Sequence, residues 1–327
     1  MDNLIVSFNI IAPFMLYMLL GALFKKLGLA GEDTIKGMNK LVSMVFLPVF
    51  NFMNFLKADL SAIAHGGFIF YILGAHLVLL LCMILLVRLL RFEPATAGTI
   101  VLCCFISNSM VMGLAVAAQM FEAGQYIEVI LAGASTLPFY NGVMVPIIQT
   151  YGEKQRLIDE GRGSENARVK IDLPALLKRV FTNPLVIAVL AGLLFQLIGI
   201  RLPAFANTFI NGLSNLVTPL IFICLGFEFK FGNVKEDRRP LLLILFIKLV
   251  ISPLVFMALP VYWGYTGSKL LACLVAFGAP CGVTTVPLLR ACGCNSRLAG
   301  EALALASALS IVTMFLWIFG FKQLGLM

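Results

Sequence analysis

The sequence predicts an all-α polytopic membrane protein: ten transmembrane helices forming two inverted five-helix repeats, with helices 4 and 9 broken where they cross. Three observations predict this class. Hydrophobic residues make up 61% of the 327-residue chain and charged residues 12%, with mean hydropathy +0.99. That leaves too little polar surface to cover a soluble core of this size. Lysines and arginines also concentrate in every second loop between apolar stretches. Finally, two apolar stretches are interrupted halfway by residues that a membrane helix normally avoids. Thr99 to Met120 carries Ser107-Asn108-Ser109, and Leu270 to Leu289 carries Gly278-Ala279-Pro280-Cys281-Gly282.

The spans follow in order from apolar windows of about 17–25 residues. The first, 4–24, begins after Met1-Asp2-Asn3; with no basic n-region it reads as a span and not a cleaved signal. The second, 39–56, is short and holds Pro48, which a helix bundle tolerates. The third, 67–90, and the eighth, 240–262, each bury one ionisable residue, His76 and Lys248. The fourth, 96–120, and the ninth, 269–290, are the broken ones. The fifth, 126–149, carries Asn141, and 183–200, 207–227 and 298–320 complete the ten. Charge tests this count independently. Of 24 Lys and Arg, 19 fall on loops one, three, five, seven and nine, four fall on the opposite side, and Lys248 lies within a span. By the positive-inside rule both termini face outward, and the long central loop is cytoplasmic.

Shifting the chain by 171–172 residues brings its halves into register. Pro13, Gly21, Phe24 and Gly28 fall on Pro184, Gly192, Phe195 and Gly199; Pro48 falls on Pro219, and Phe105 on Phe277. Each half has five spans, an odd number, so the second is inserted upside down relative to the first. The expected organisation is 1–150 for the first repeat, 151–182 for a cytoplasmic linker, and 183–327 for the second repeat. The linker ends in an amphipathic segment, Leu173 to Phe181, suited to the inner membrane surface. The net charge of +8 is a topology signal, spread over five loops with no aromatic interleaving, and implies no nucleic acid. Most of the eight cysteines sit in apolar runs as small hydrophobes. Cys292-Gly-Cys294 lacks the spacing of a zinc site, so neither metal nor cofactor is expected.

Paired interrupted spans are the best sequence pointer to a carrier's binding site, near the membrane midplane. A break frees backbone N–H and C=O groups, each costing several kcal/mol if left unpaired. Pro280 removes a donor, and Gly278 and Gly282 let the chain bend. The half-helix beginning near Cys281-Gly282-Val283-Thr284-Thr285 offers amide donors and a positive dipole end, which suits a carboxylate. Asn108, with Ser107 and Ser109, offers donors from the other break. His76 and Lys248 are repeat-equivalent, and such intramembrane groups are candidates for charge compensation or coupling. Asp and Glu are absent from the depths of the spans, which disfavours a cation substrate.

These residues together resemble the auxin efflux carrier family of the bile/arsenite/riboflavin transporter superfamily, over the whole chain. The resemblance lies in Phe46-Leu47-Pro48, Asn108-Ser109-Met110-Val111-Met112-Gly113, Tyr140-Asn141 and Ala279-Pro280. It implies a ten-helix homodimer whose crossing helices frame a carboxylate site. Asn108 and Asn141 would contact the carboxylate, with Pro280 at the second crossover. The short central loop is similar to that of prokaryotic members linked with malate, malonate and other small organic acids. The expected function is a secondary carrier of a small organic anion in the cell membrane, moving by an elevator or rocking step. Its substrate-binding set is Asn108, Ser109, Asn141, Pro280, Cys281, Gly282, Thr284 and Thr285, and its coupling set Lys248 and His76. The rivals are a sodium-coupled symporter of the bile-acid type and a membrane sensor that keeps the carrier fold without transporting.

Overall fold

The computed structural model describes residues 2–56, 66–122, 125–161, 182, 184–200, 202–228, 237–282 and 285–327. Among these, every regular element is helical. The first half contains α1 (Asp2–Lys26), α2 (Glu32–Leu41), α3 (Leu47–Leu56), α4 (Gly66–Leu89), α5 (Pro94–Phe105), α6 (Leu114–Met120), α7 (Ile127–Phe139) and α8 (Val145–Asp159). The second contains α9 (Pro184–Ile198), α10 (Ala204–Asn215), α11 (Val217–Glu228), α12 (Arg238–Phe246), α13 (Ser252–Tyr262), α14 (Gly267–Gly278), α15 (Thr285–Ala291) and α16 (Ser296–Gln323). Helix α8 runs past the expected span end at 149 to Asp159. The expected amphipathic segment, Leu173 to Phe181, lies outside the described residues.

Gly67–Leu89, Ala204–Phe227, Arg238–Tyr262 and Ser296–Gln323 are long and apolar enough to cross a bilayer. They match the expected third, seventh, eighth and tenth spans. Their outward faces are apolar: Phe70, Leu81 and Leu85 on α4, and Leu254, Val255 and Leu259 on α13, are all exposed. A soluble protein does not expose such continuous stripes, whereas lipid solvates them. The molecule is a polytopic membrane protein.

Four helical runs widen locally into π-type turns, at Val42–Phe46, Ser109–Gly113, Tyr140–Met144 and Ile247–Ile251. Three of these have a common cause. Pro48, Pro146 and Pro253 each stand two residues beyond the end of a widened turn. A proline ring clashes with the carbonyl four residues back and offers it no N–H, so the helix opens there. For Pro253 that carbonyl belongs to Leu249, which instead receives the indole N–H of Trp317 at 3.5 Å.

Helix α1 packs most extensively on α11, and α9 on α3. The α1–α11 contact is backbone on backbone. A Cβ on Gly21 would sit 2.0 Å from the Ile223 carbonyl oxygen, and one on Gly226 would sit 1.9 Å from that of Met18. In lipid, where apolar burial drives little, such close approach of small residues is the main source of helix association. The centre of the protein is α5 and α14. All residues from Ala97 to Phe105, and all from Leu270 to Gly278, are buried. A helix buried on every side belongs to a core and not to a lipid-facing wall. Helix α5 is wrapped by α4, α8, α12 and α16, and α14 by α4, α7, α13 and α16.

Candidate functional site

Both core helices stop in mid-protein. Helix α5 ends at Phe105, and Ile106 turns to extended backbone (φ −74°, ψ 133°). Helix α14 ends at Gly278, and Ala279 does the same (φ −68°, ψ 152°). The first break is Ile106 to Asn108, so Ser109 already belongs to the second half-helix. The second break opens at Ala279, and α15 starts at Thr285, the last residue of the stretch expected to begin it. The two breaks touch: the Asn108 N–H donates to the Pro280 carbonyl at 2.7 Å. Each interruption thus satisfies a backbone group of the other, which hydrocarbon would leave bare.

The carbonyls at the ends of the half-helices are satisfied by side chains. A helix end leaves several carbonyls without intrahelical partners. The Lys248 ammonium donates to the Cys104 carbonyl at 3.2 Å and to Ser107 Oγ at 2.5 Å. The Ser107 hydroxyl in turn donates to the Ala276 carbonyl. Cys104 and Ala276 stand 172 residues apart, the offset that relates the two halves of the sequence. Lys248 is fully buried, reaching the negative end of the α5 dipole from within the widened turn Ile247–Ile251. Two of its three N–H donors go to neutral oxygens, and it has no carboxylate partner among the described residues.

His76 is also buried and lies within electrostatic reach of Lys248. Its Nδ1 donates to the Ile72 carbonyl at 2.7 Å. The ring packs on Phe277 (centroids 4.6 Å apart) and edge-on to Phe105 (5.4 Å). Phe105 and Phe277, one from each core helix, therefore meet on one imidazole.

Asn108 is buried, and its Nδ2 has no acceptor among the described residues. Its carbonyl receives the Met112 N–H at 2.9 Å and so starts the second half-helix. Ser109, Pro280, Cys281 and Gly282 are buried beside it. Thr285 is buried too, but its hydroxyl and N–H both turn back to the Gly282 carbonyl, at 2.6 and 3.0 Å. Thr284 lies outside the described residues, as does the side chain of Asn141, whose backbone sits in the widened turn Tyr140–Met144.

The structure also engages groups outside the expected substrate and coupling sets. Ser107 links Lys248 to α14, and its place at the edge of the break was the available signal. Ser252, one turn past Lys248, and Ser307 on α16 carry buried hydroxyls without partners among the described residues. Ser310, one turn beyond Ser307, donates to the Ser307 carbonyl at 2.8 Å, with Met112 Sδ of the second half-helix 3.5 Å from its hydroxyl. Asn51 on α3 is fully buried, with neither amide atom paired among the described residues. Replacing it with leucine is expected to raise thermal stability in detergent by roughly 1–2 kcal/mol, the penalty of an unsatisfied buried amide. A fall in melting temperature would instead reveal a partner for that amide.

Known proteins sharpen this picture. The family model described as "Membrane transport protein" matches residues 6–318. A protein of Methanothermobacter thermautotrophicus described as an uncharacterized transporter is 22% identical over 321 residues, covering 95% of this chain and 97% of its own length.

Proposed function

This chain belongs to the auxin efflux carrier family of membrane transport proteins, a family of transporters and not of enzymes, and from that premise we propose that it is a secondary carrier of a small organic anion, a mono- or dicarboxylate. The carrying observation is the chemistry left open at the crossover. Asn108 holds a buried donor without an acceptor, and Lys248 a buried charge without a carboxylate partner among the described residues. A carboxylate is the ligand that pairs with both. Asn141, Thr284 and the turn Pro280-Cys281-Gly282 complete the substrate set of this proposal, with Ser109 and Thr285 flanking it. His76 and Lys248 form the coupling set.

The proposal includes the inverted-repeat plan, 1–150 and 183–327, with ten spans and both termini outside. Exchanged packing supports it: α1 pairs with α11 as α9 pairs with α3, and α7 lies on α14 as α16 lies on α5. The grouping of contacts also supports an elevator step. Helices α1, α3, α9, α10 and α11 associate chiefly with one another, while α4–α8 and α12–α16 surround the breaks. The homodimer carried by the family resemblance belongs to the same proposal.

Uptake of a labelled mono- and dicarboxylate panel into proteoliposomes, with and without proton and sodium gradients, tests this reading. Asn108→Ala is expected to lower uptake at sub-saturating substrate roughly 10- to 100-fold while the protein stays folded, since a hydrogen bond to a charged group contributes about 1.5–3 kcal/mol. Absolute dependence on sodium would move the protein to the bile-acid type of symport. If no organic anion moved under any gradient, and Asn108→Ala left anion binding unchanged, the carrier reading would fail.

A further inference from the structure

Away from the crossover, the end of α4, the start of α5 and the flank of α8 enclose a cavity of about 380 Å³. Three cations line it, Arg88, Arg91 and Lys154. None has a carboxylate partner among the described residues, although the neighbouring Arg156 on α8 pairs with Glu153 and Glu160. The nearby acid, Glu93, opens onto a separate cavity with Asp237 and Arg238. The Tyr151 phenol also lines the cationic cavity, and Ile84 and Ile147 form an apolar part of its wall.

Arg91 has φ +54°, the left-handed region. It follows the last turn of α4, where glycine is the usual residue because a side chain in that conformation is strained by roughly 1–2 kcal/mol. Local strain of this kind is a pointer to function when the side chain concerned faces a site. The exposed leucines of α4, Leu81, Leu85 and Leu89, form a lipid-facing stripe that leads directly to Arg88. The cavity therefore joins hydrocarbon below to cations above. Arg88 lies in the last turn of the third span, and Arg91 and Lys154 lie on loops three and five, the side that the charge asymmetry assigns to the cytoplasm.

We propose that this cavity binds the phosphate headgroup of an acidic phospholipid of the inner leaflet, with Arg88, Arg91 and Lys154 on the phosphate and the first acyl methylenes along Ile84 and Ile147. Clusters of cations between helices on the cytoplasmic side favour such headgroups, and arginine's planar fork fits phosphate oxygens in pairs. The lipid ties the α4–α5 turn to α8. It thereby holds the helix that carries His76 and the first half of the broken span against one another.

Native mass spectrometry of the purified full-length protein, after exchange into mixed vesicles of phosphatidylglycerol and phosphatidylcholine, tests the assignment. The wild type is expected to retain phosphatidylglycerol preferentially. The variant Arg88→Gln/Arg91→Gly/Lys154→Gln is expected to retain it at least ~10-fold less, with phosphatidylcholine unchanged. Arg91→Gly alone relieves the backbone, so it is expected to fold at least as well as the wild type while weakening retention. Thermal melts with glycerol phosphate separate a soluble phosphate ester from a lipid: only phosphatidylglycerol is expected to raise the melting temperature. Equal retention of both lipids by the wild type, unchanged retention in both variants, or an equal shift by glycerol phosphate would each overturn the proposal.

Discussion

Lys248→Met is expected to reduce organic-anion uptake at least ~100-fold in proteoliposomes while leaving the melting temperature unchanged or raised. Methionine fills much of the same volume but removes the ammonium that reaches Cys104 and Ser107. Deleting one member of a buried charge pair costs a ligand about 2–5 kcal/mol, which sets the size of the transport defect. Stability follows the opposite logic. The ammonium is fully buried without a carboxylate partner among the described residues, and an apolar side chain of similar size avoids its desolvation. Uptake at wild-type rates would restrict Lys248 to neutralising the end of α5 and remove it from substrate recognition.

The second large effect is structural. Gly226→Val is expected to destabilise the protein by about 4 kcal/mol or more, read as loss of the monodisperse peak in size-exclusion chromatography. The atom that a Cβ would strike, 1.9 Å away, is the carbonyl oxygen of Met18 in the middle of α1. No rotamer change moves a backbone oxygen, so the helices must separate and lose the packing that joins them. Gly74 on α4 is the control. A Cβ there meets nothing within 4 Å, so Gly74→Ala is expected to stay within about 0.5 kcal/mol of the wild type. Equal tolerance at both positions would mean that the α1–α11 contact contributes little.

The sequence carried the membrane class and the two breaks because both depend on composition and on residues that hydrocarbon forbids. The meeting of Asn108 with Pro280 was legible from the register of the two halves, and the structure brings their backbones to 2.7 Å. The widened turns were not legible. Pro48, Pro146 and Pro253 were visible, but a proline inside a helix gives either a kink or a π-type turn, and neighbouring helices decide which. Lys248 was legible as a buried cation, whereas its partners were not, because Cys104 and Ser107 come from another span, and Ala276, which accepts from Ser107, comes from a third. The local partner of Thr285 was not legible either. Its hydroxyl is held by its own turn at Gly282, a local bond that competes with any ligand.

The hydrogen bond between the two breaks also sets a schedule for biogenesis. Asn108 leaves the ribosome 172 residues before Pro280, which at about 5–20 residues per second is roughly 10–35 s of synthesis. Throughout that interval the first break has no protein acceptor for its N–H, and the nascent half must keep it in contact with water or the insertion machinery. The first half of the chain is therefore made before its own break can be closed, and the arrival of Pro280 supplies the acceptor that the folded protein uses.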